Sequence, residues 1–389
     1  MAFPSPLSRP HAGTPAPIAP PRASPPALPA LPRKGRSASI WLFAIVVVVL
    51  LAVAGYFLAA LGAAASIAGM VLALVPLAGV LLAVRIIDRW EPEPRSLVIL
   101  AIGWGAVVAV AIALGVDLLL AIALGPATGP AAEALSSVVQ APVVEEFAKG
   151  LGVFLIFVTA RRAFDGPVDG VVYGALVGAG FAFTENIQYF AVSLIEGGAS
   201  QATVTFFLRG VLSPFAHVMF TAVTGFALGL AARRGLRPGQ ALGLWLTGMA
   251  GAIILHALWN GSAAFFDFFA LYATLQVPLF VVFVLGILAL RREEARLTRA
   301  RLGDYAAVGW FTAQEVDMLA TRPGRRAGLA WARSLPGDRS GVMKGYIREA
   351  TALAAARQRA MSGRDPVAAQ DEHVLLQRAV AARAALFAP

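Results

Sequence analysis

Cysteine is absent from all 389 residues, which excludes disulfides, thiolate metal sites and a cysteine nucleophile. Any chemistry must rest on carboxylate, imidazole or hydroxyl groups. Charge is scarce as well: Asp, Glu, Lys and Arg make up 14% of the chain against 58% hydrophobic residues, with a mean hydropathy of +0.74. That balance lies far from a soluble globular domain and implies a polytopic membrane protein. Histidine occurs four times, and only His217 and His256 stand outside the tails. No HExxH pairing exists, and no internal repeat of the helix pattern or matched pair of broken helices marks a transporter. Acidic residues are missing from residues 1–39, which carry five basic ones.

The remaining charge is uneven. Residues 40–290 hold ten basic and twelve acidic groups, and residues 291–389 hold seventeen basic and ten acidic. The net charge of +10 therefore sits in the two tails. A basic tail on a membrane protein points to a cytoplasmic face near anionic lipid, not to nucleic acid. Residues 1–38 contain eleven prolines and end in Arg33, Lys34 and Arg36. Such a segment buries too little apolar surface to order itself, and it reads as a disordered cytoplasmic tail, not a cleavable signal peptide.

Cutting the chain at polar and Gly/Pro breaks, with about 20 apolar residues needed per crossing, gives eight spans. They fall near 40–61, 66–84, 97–124, 133–158, 168–190, 209–232, 239–263 and 268–290. Every second loop is basic: Arg85, Arg89 and Arg95; Arg161 and Arg162; Arg233, Arg234 and Arg237; then Arg291 and Arg292. The alternate loops, around Gly62, 125–130, 191–201 and Phe266, hold no Lys or Arg. Both termini are thus expected in the cytoplasm. The expected architecture is an all-α bundle of about eight transmembrane helices over residues 39–290, followed by a small basic helical cytoplasmic tail over 291–389.

Within that apolar core, polar residues require a reason. A carboxylate at mid-depth costs roughly 2.5 to 3.5 kcal/mol on insertion scales and is tolerated where it faces a bundle interior or a wet cavity. Helical spacing puts Glu145 and Lys149 at i, i+4 and Glu146 and Lys149 at i, i+3, so that one ammonium serves two carboxylates. Phe181, Glu185 and Tyr189 share a face with Asn186 beside them, His217 lies on a later helix, and His256 and Asn260 recur at i, i+4. Gly170, Gly174 and Gly178 form a small-residue stripe, expected to bring Glu185 toward the helix carrying Glu145 and Glu146. Asp169 and Tyr173 are expected to cap their helix. Asp117 is read as a bundle or interface residue, and the Asp88–Arg95 turn as a rigid connector at the headgroups. The set Glu145, Glu146, Lys149, Glu185, Asn186, His217, His256 and Asn260 is expected to converge in one cavity. It offers a base, a second carboxylate and hydrogen-bond donors for an oxyanion, the requirements of hydrolysis by activated water.

These motifs carry a resemblance. Glu145-Glu146-Phe-Ala-Lys149, Asp169-Gly170-Val-Val-Tyr173-Gly174, Gly180-Phe181-Ala-Phe-Thr-Glu185-Asn186, Ser213-Pro-Phe-Ala-His217, His256-Ala-Leu-Trp-Asn260 and Glu91-Pro-Glu-Pro94 resemble the PrsW-type intramembrane proteases, related to the CAAX prenyl proteases and bacteriocin-processing enzymes. The resemblance covers about residues 40–290 and implies peptide-bond hydrolysis in or near a bacterial inner membrane, with a membrane-protein substrate, the lipid bilayer and no nucleic acid as partners. The described member of the family cuts an anti-sigma factor. A non-catalytic scaffold and a proton-coupled transporter are the alternatives. Two mechanisms stay open. Zinc could be held by Glu185, His217 and His256. Without metal, Glu145 or Glu146 would activate the water while Lys149 holds the partner carboxylate and His217 and Asn260 stabilise the oxyanion. Lys149, which would repel a dication, favours the second.

Overall fold

The computed structural model describes residues 37–387 apart from 127, 266, 364 and 366, with only the backbone given for 37–40, 42 and 263–265. The reading of the proline-rich segment therefore lies outside the described residues save for its last two positions, and so does the break at Phe266. The described residues are helical, and no strand occurs among them. They divide into two compact units, one ending at Leu288 and one beginning at Ala289.

The first unit opens with α1 (Ser37–Leu61) and α2 (Ala63–Ile87), which meet at Gly62, where φ is 76°. After the Asp88–Pro94 turn, α3 (Arg95–Gly103) runs through a π-helical turn, Trp104–Ala109, into α4 (Val110–Leu124). The short α5 (Pro130–Leu135) runs likewise through Ser136–Gln140 into α6 (Ala141–Thr159). Then come α7 (Pro167–Phe206), a third π-helical turn (Phe207–Leu212), α8 (Ala216–Arg233), α9 (Pro238–Phe265), α10 (Phe268–Leu271), a fourth π-helical turn (Tyr272–Gln276) and α11 (Val277–Ala307), which continues into the second unit.

Among the described residues, six stretches are long and apolar enough to cross a membrane: Phe43–Leu61, Ala63–Ile87, Arg95–Leu124, Pro167–Arg233, Pro238–Ser262 and Phe268–Ala307. The protein is an all-α, multi-pass membrane protein. The 67-residue stretch holds both α7 and α8; of the eight expected spans, the one at 133–158 is not among these stretches, because α6 carries Glu145, Glu146 and Lys149.

α7 is the centre of the unit and packs along α2, α8 and the Trp104–Ala109 turn. Gly170, Gly174 and Gly178 touch the backbone of α8 at Gly225, Thr221 and His217, so the two helices are antiparallel and nearly in backbone contact. This corrects the expectation from the stripe: its partner is the His217 helix, not α6. A side chain at Gly178 would overlap the His217 carbonyl. Gly178→Val is therefore expected to cost about 1–3 kcal/mol as overpacking and to move His217, seen as a lowered unfolding temperature of the detergent-purified protein.

Two buried indoles set the rotation of α6. Trp104 donates to the Ala148 carbonyl and Trp245 to the Gly150 carbonyl, each at 3.0 Å, from opposite flanks. A buried Trp N–H needs such a partner, and Gly152 makes room for the Trp104 ring. With α6 clamped, Glu146 and Lys149 face inward.

The expected loop at 191–201 is helical instead. The chain reverses at Gly198 (φ 64°, ψ −159°), a conformation open to glycine, and the following turns return along α7: Thr205 Oγ1 lies 2.8 Å from Ser193 Oγ, and Phe206 packs on Phe190. The span expected to start at 209 begins with α8 at Ala216, because Pro214 breaks the preceding helix. Asp169 caps α7 as expected, accepting from the Asp165 and Gly166 N–H groups at 2.9 Å. Tyr173 instead donates to Glu93, 2.5 Å away in the Glu91–Pro94 turn. In that turn burial pushes the Asp88 carboxyl up to about 6, against a hydrogen bond from the Glu93 N–H that lowers it. Asp117 accepts from Gln140 at 2.8 Å.

The second unit contains α12 (Ala313–Ala320), α13 (Arg322–Ser334), α14 (Ser340–Ser362) and α15 (Ala368–Phe387), which pack with the end of α11 around Leu302, Tyr305, Leu319, Tyr346, Leu353 and Leu376. The helical tail expected from the sequence is thus a small bundle with its own core. Thr312 with Glu315 forms a capping box for α12, and Gly363 (φ 68°) ends α14. His373 is exposed, beside Gln377.

Candidate active site

The inward face of α6 delivers Lys149 into the space between α7, α8 and α9. Its ammonium, fully buried, lies 2.6 Å from Glu146 Oε1, 3.3 Å from Glu145 Oε2 and 3.1 Å from His217 Nδ1. An ammonium has three protons to donate and nothing to accept with, and here it meets three acceptors, with the Phe181 ring 4.1 Å away. Since Nδ1 of His217 accepts from Lys149, the ring proton belongs on Nε2, which donates to Glu185 Oε2 at 2.8 Å. The same Glu185 oxygen also accepts from Arg209, whose Nε donates to Asn186 Oδ1 at 2.9 Å and whose guanidinium lies 3.8 Å from the Tyr189 ring centre.

The adjacent glutamates differ. Glu146 has no exposed surface: Thr221 donates to Oε2 at 3.1 Å, and Oε1 receives Lys149 and His256 Nδ1, the latter at 3.1 Å. Glu145 keeps 13% of its side chain exposed and stands 3.9 Å from His256 Nδ1. His256 crosses His217 at 89° with ring centres 5.0 Å apart, and Phe220 stacks on it at 4.9 Å. Three carboxylates thus face two side-chain cations, Lys149 and Arg209. The surplus negative charge suits a proton, a protonated histidine or a metal ion.

His217 and His256 reach the wall of a cavity of about 490 Å³, lined also by Ser137, Glu185, Asn186, Arg209 and Asn260. That volume lies within the range of small-molecule pockets. Of the expected set, Glu185, Asn186, His217, His256 and Asn260 line this cavity, while Glu145, Glu146 and Lys149 stand behind the two histidines and do not line it; two of the lining members are spent differently. Asn260 donates to the Ser137 carbonyl at 2.8 Å and ties α9 to the turn before α6, so its amide is not free for an oxyanion. Asn186 accepts from Arg209. Arg209 itself escaped the sequence reading, although it is the one basic residue between Arg162 and Arg233. An arginine in so apolar a stretch needs a buried partner, and that was the available signal.

Glu145, His217 and His256 each offer a ligand atom, all within 4.8 Å of one another. By residue type this set matches catalytic zinc, which takes two histidines and a glutamate and leaves a position for water, but both ring nitrogens of His217 are engaged, by Lys149 and by Glu185, so a metal there requires the Lys149 ammonium to leave Nδ1. The carboxylate presented is Glu145, whereas Glu185 is engaged by Arg209 and His217.

The fold and site define a helical, multi-pass membrane protein with a carboxylate, lysine and histidine cluster buried among four of its helices. Over residues 93–287 the chain matches the family described as PrsW family intramembrane metalloprotease, and it belongs to that family. It is similar to the protein named Protease PrsW from Geobacillus kaustophilus, 36% identical over 144 residues, or 37% of this chain and 58% of that one. Proteins of the same name from Oceanobacillus iheyensis and Bacillus subtilis are 37% identical over 92 residues and 39% over 79, covering 24% and 20% of this chain and 39% and 33% of theirs. The matched regions thus span less than two thirds of each of these curated relatives. No solved structure matches the chain.

Proposed function

We propose that the protein is an endopeptidase that hydrolyses a peptide bond of a membrane-protein substrate with water activated beside Glu145. The observation carrying this reading is the clustering of Glu145, His217 and His256, from three helices and with ligand atoms within 4.8 Å of one another, where the two histidines reach the wall of a cavity of about 490 Å³. In this reading Glu145 takes the proton of the attacking water. Lys149 holds Glu145 and Glu146 in place, Glu146 orients His256, and Glu185, pinned by Arg209, orients His217. In a metal-dependent alternative Glu145 would not be the base but would hold a zinc ion with His217 and His256, an ion that when bound lowers the pKa of its water to ~7. The metal-free reading keeps its own support, because the Lys149 ammonium stands among the same donors. The purified protein decides between them: activity lost to a chelator and restored by zinc supports the metal, whereas full activity after exhaustive chelation removes it.

The catalytic core is taken as residues 39–290, in a bacterial inner membrane, with both termini in the cytoplasm and the tail at 291–389 as an accessory unit. Reporter fusions after Arg36 and after Arg292 both report cytoplasm on this reading, and opposite signals refute it. A signalling protein such as an anti-sigma factor is the proposed substrate type. Cells carrying the native chain are expected to accumulate membrane-protein fragments that cells carrying Glu145→Gln lack, and identical fragment profiles would end the proposal.

A further inference from the structure

The outer face of α13 is built unlike the rest of the C-terminal unit. The helix contains no acidic residue. Its inner side is fixed on the bundle: Ala332 and Gly328 are buried, Gly328 against Met318, and Arg325 donates to the Leu319 carbonyl and to Thr351 Oγ1, each at 2.7 Å. At about 100° per residue, Arg322, Arg326 and Arg333 fall in one row along an edge of the outward side, and all three are exposed. Among the described residues, Arg322 and Arg326 make no ion pair, while the exposed Asp338 feels the charge of Arg333. The opposite edge carries Trp331, 41% exposed, in contact with Phe387, 71% exposed, with ring centres 5.8 Å apart. Exposed Ala327, Ala330 and Ser334 lie between the edges and let the helix backbone come close to a flat surface.

We infer that this face docks on an anionic lipid surface, with the arginine row on headgroup phosphates and the Trp331–Phe387 pair in the interfacial layer. The charge complementarity is direct, because guanidinium forks match phosphate oxygens and basic residues near a cytoplasmic leaflet are drawn to its negative potential. Tryptophan with an apolar body and a polar N–H is suited to that layer. Chain continuity adds to both: α13 begins about 30 residues after the apolar part of α11 ends near Leu290, so the unit is tethered to a membrane-crossing helix, which raises its effective concentration at lipid. A duplex nucleic acid would use the arginines but leave the exposed aromatic pair without a role.

The test uses the full chain in nanodiscs of phosphatidylcholine or of a phosphatidylcholine and phosphatidylglycerol mixture, with acyl chains brominated near the headgroup. Subtracting the emission of Trp331→Phe isolates the Trp331 signal. Quenching is expected in the anionic discs, loss of quenching in the zwitterionic ones, and weakening at high salt, since the Debye length falls to ~3 Å at 1 M. The variant Arg322→Gln/Arg326→Gln/Arg333→Gln should recover full emission while its circular dichroism keeps the native helicity. A Trp331 signal equally bright in both lipid types, or quenching that survives in the triple variant, overturns the inference. So does a duplex oligonucleotide that protects Trp331 when anionic lipid does not.

Discussion

A protein carrying Glu145→Gln should insert and fold as the native chain does, with peptide turnover lower by about 10²- to 10⁴-fold, the range that a positioned general acid or base contributes. The amide matches the carboxylate in size and still offers an oxygen to Lys149, so the packing of α6 is kept. What it loses is the ability to take a proton, and anionic ligation if a metal is bound. Glu145 is the member of the adjacent pair with exposed surface, and it lies within 4.8 Å of ligand atoms on both histidines. Glu146→Gln should also lower activity, but with reduced stability, because Glu146 is enclosed by Lys149, His256 and Thr221. Turnover measured beside the unfolding temperature separates the two. If Glu145→Gln keeps native turnover while Glu146→Gln alone is inactive, the roles assigned here are reversed.

The second large effect is on stability. Lys149→Met retains most of the side-chain volume but leaves Glu145 and Glu146 without their cation inside a dry bundle. Removing one partner of a buried ion pair costs about 3–5 kcal/mol, because the charge left behind is uncompensated. Lys149→Met should therefore unfold at a clearly lower temperature or denaturant midpoint. Adding Glu146→Gln should recover part of the loss, since the double variant buries one carboxylate fewer. A double variant whose loss is the sum of the two single losses would show that the pair does not act as a unit.

Arg209 illustrates how an inconspicuous residue becomes part of a site. From sequence it opens an apolar span; in the fold, the reversal at Gly198 carries it back along α7 onto Glu185 and Asn186. No local pattern links residues 24 positions apart across that reversal. Asn260 makes the opposite case. Its i, i+4 spacing from His256 placed it at the cavity wall correctly, but spacing carries no information about the Ser137 carbonyl that occupies its amide.

The apolar composition, the all-α membrane class and the inward placement of the polar residues were legible from the sequence alone, whereas the number and ends of the spans were not. The physical reason is that lipid imposes a large and local penalty on any polar group that faces it, so residue type and helical period suffice to say which side of a helix turns inward. Only the tertiary structure could tell the enclosed Glu146 from the partly exposed Glu145. Neighbours on a helix lie about 100° apart, and which of them keeps exposed surface depends on how the helix is rotated about its axis. For α6 that rotation is held by Trp104 and Trp245, brought to it from distant parts of the chain, and for α7 the glycine stripe took α8 as its partner because antiparallel backbones met there at closest approach.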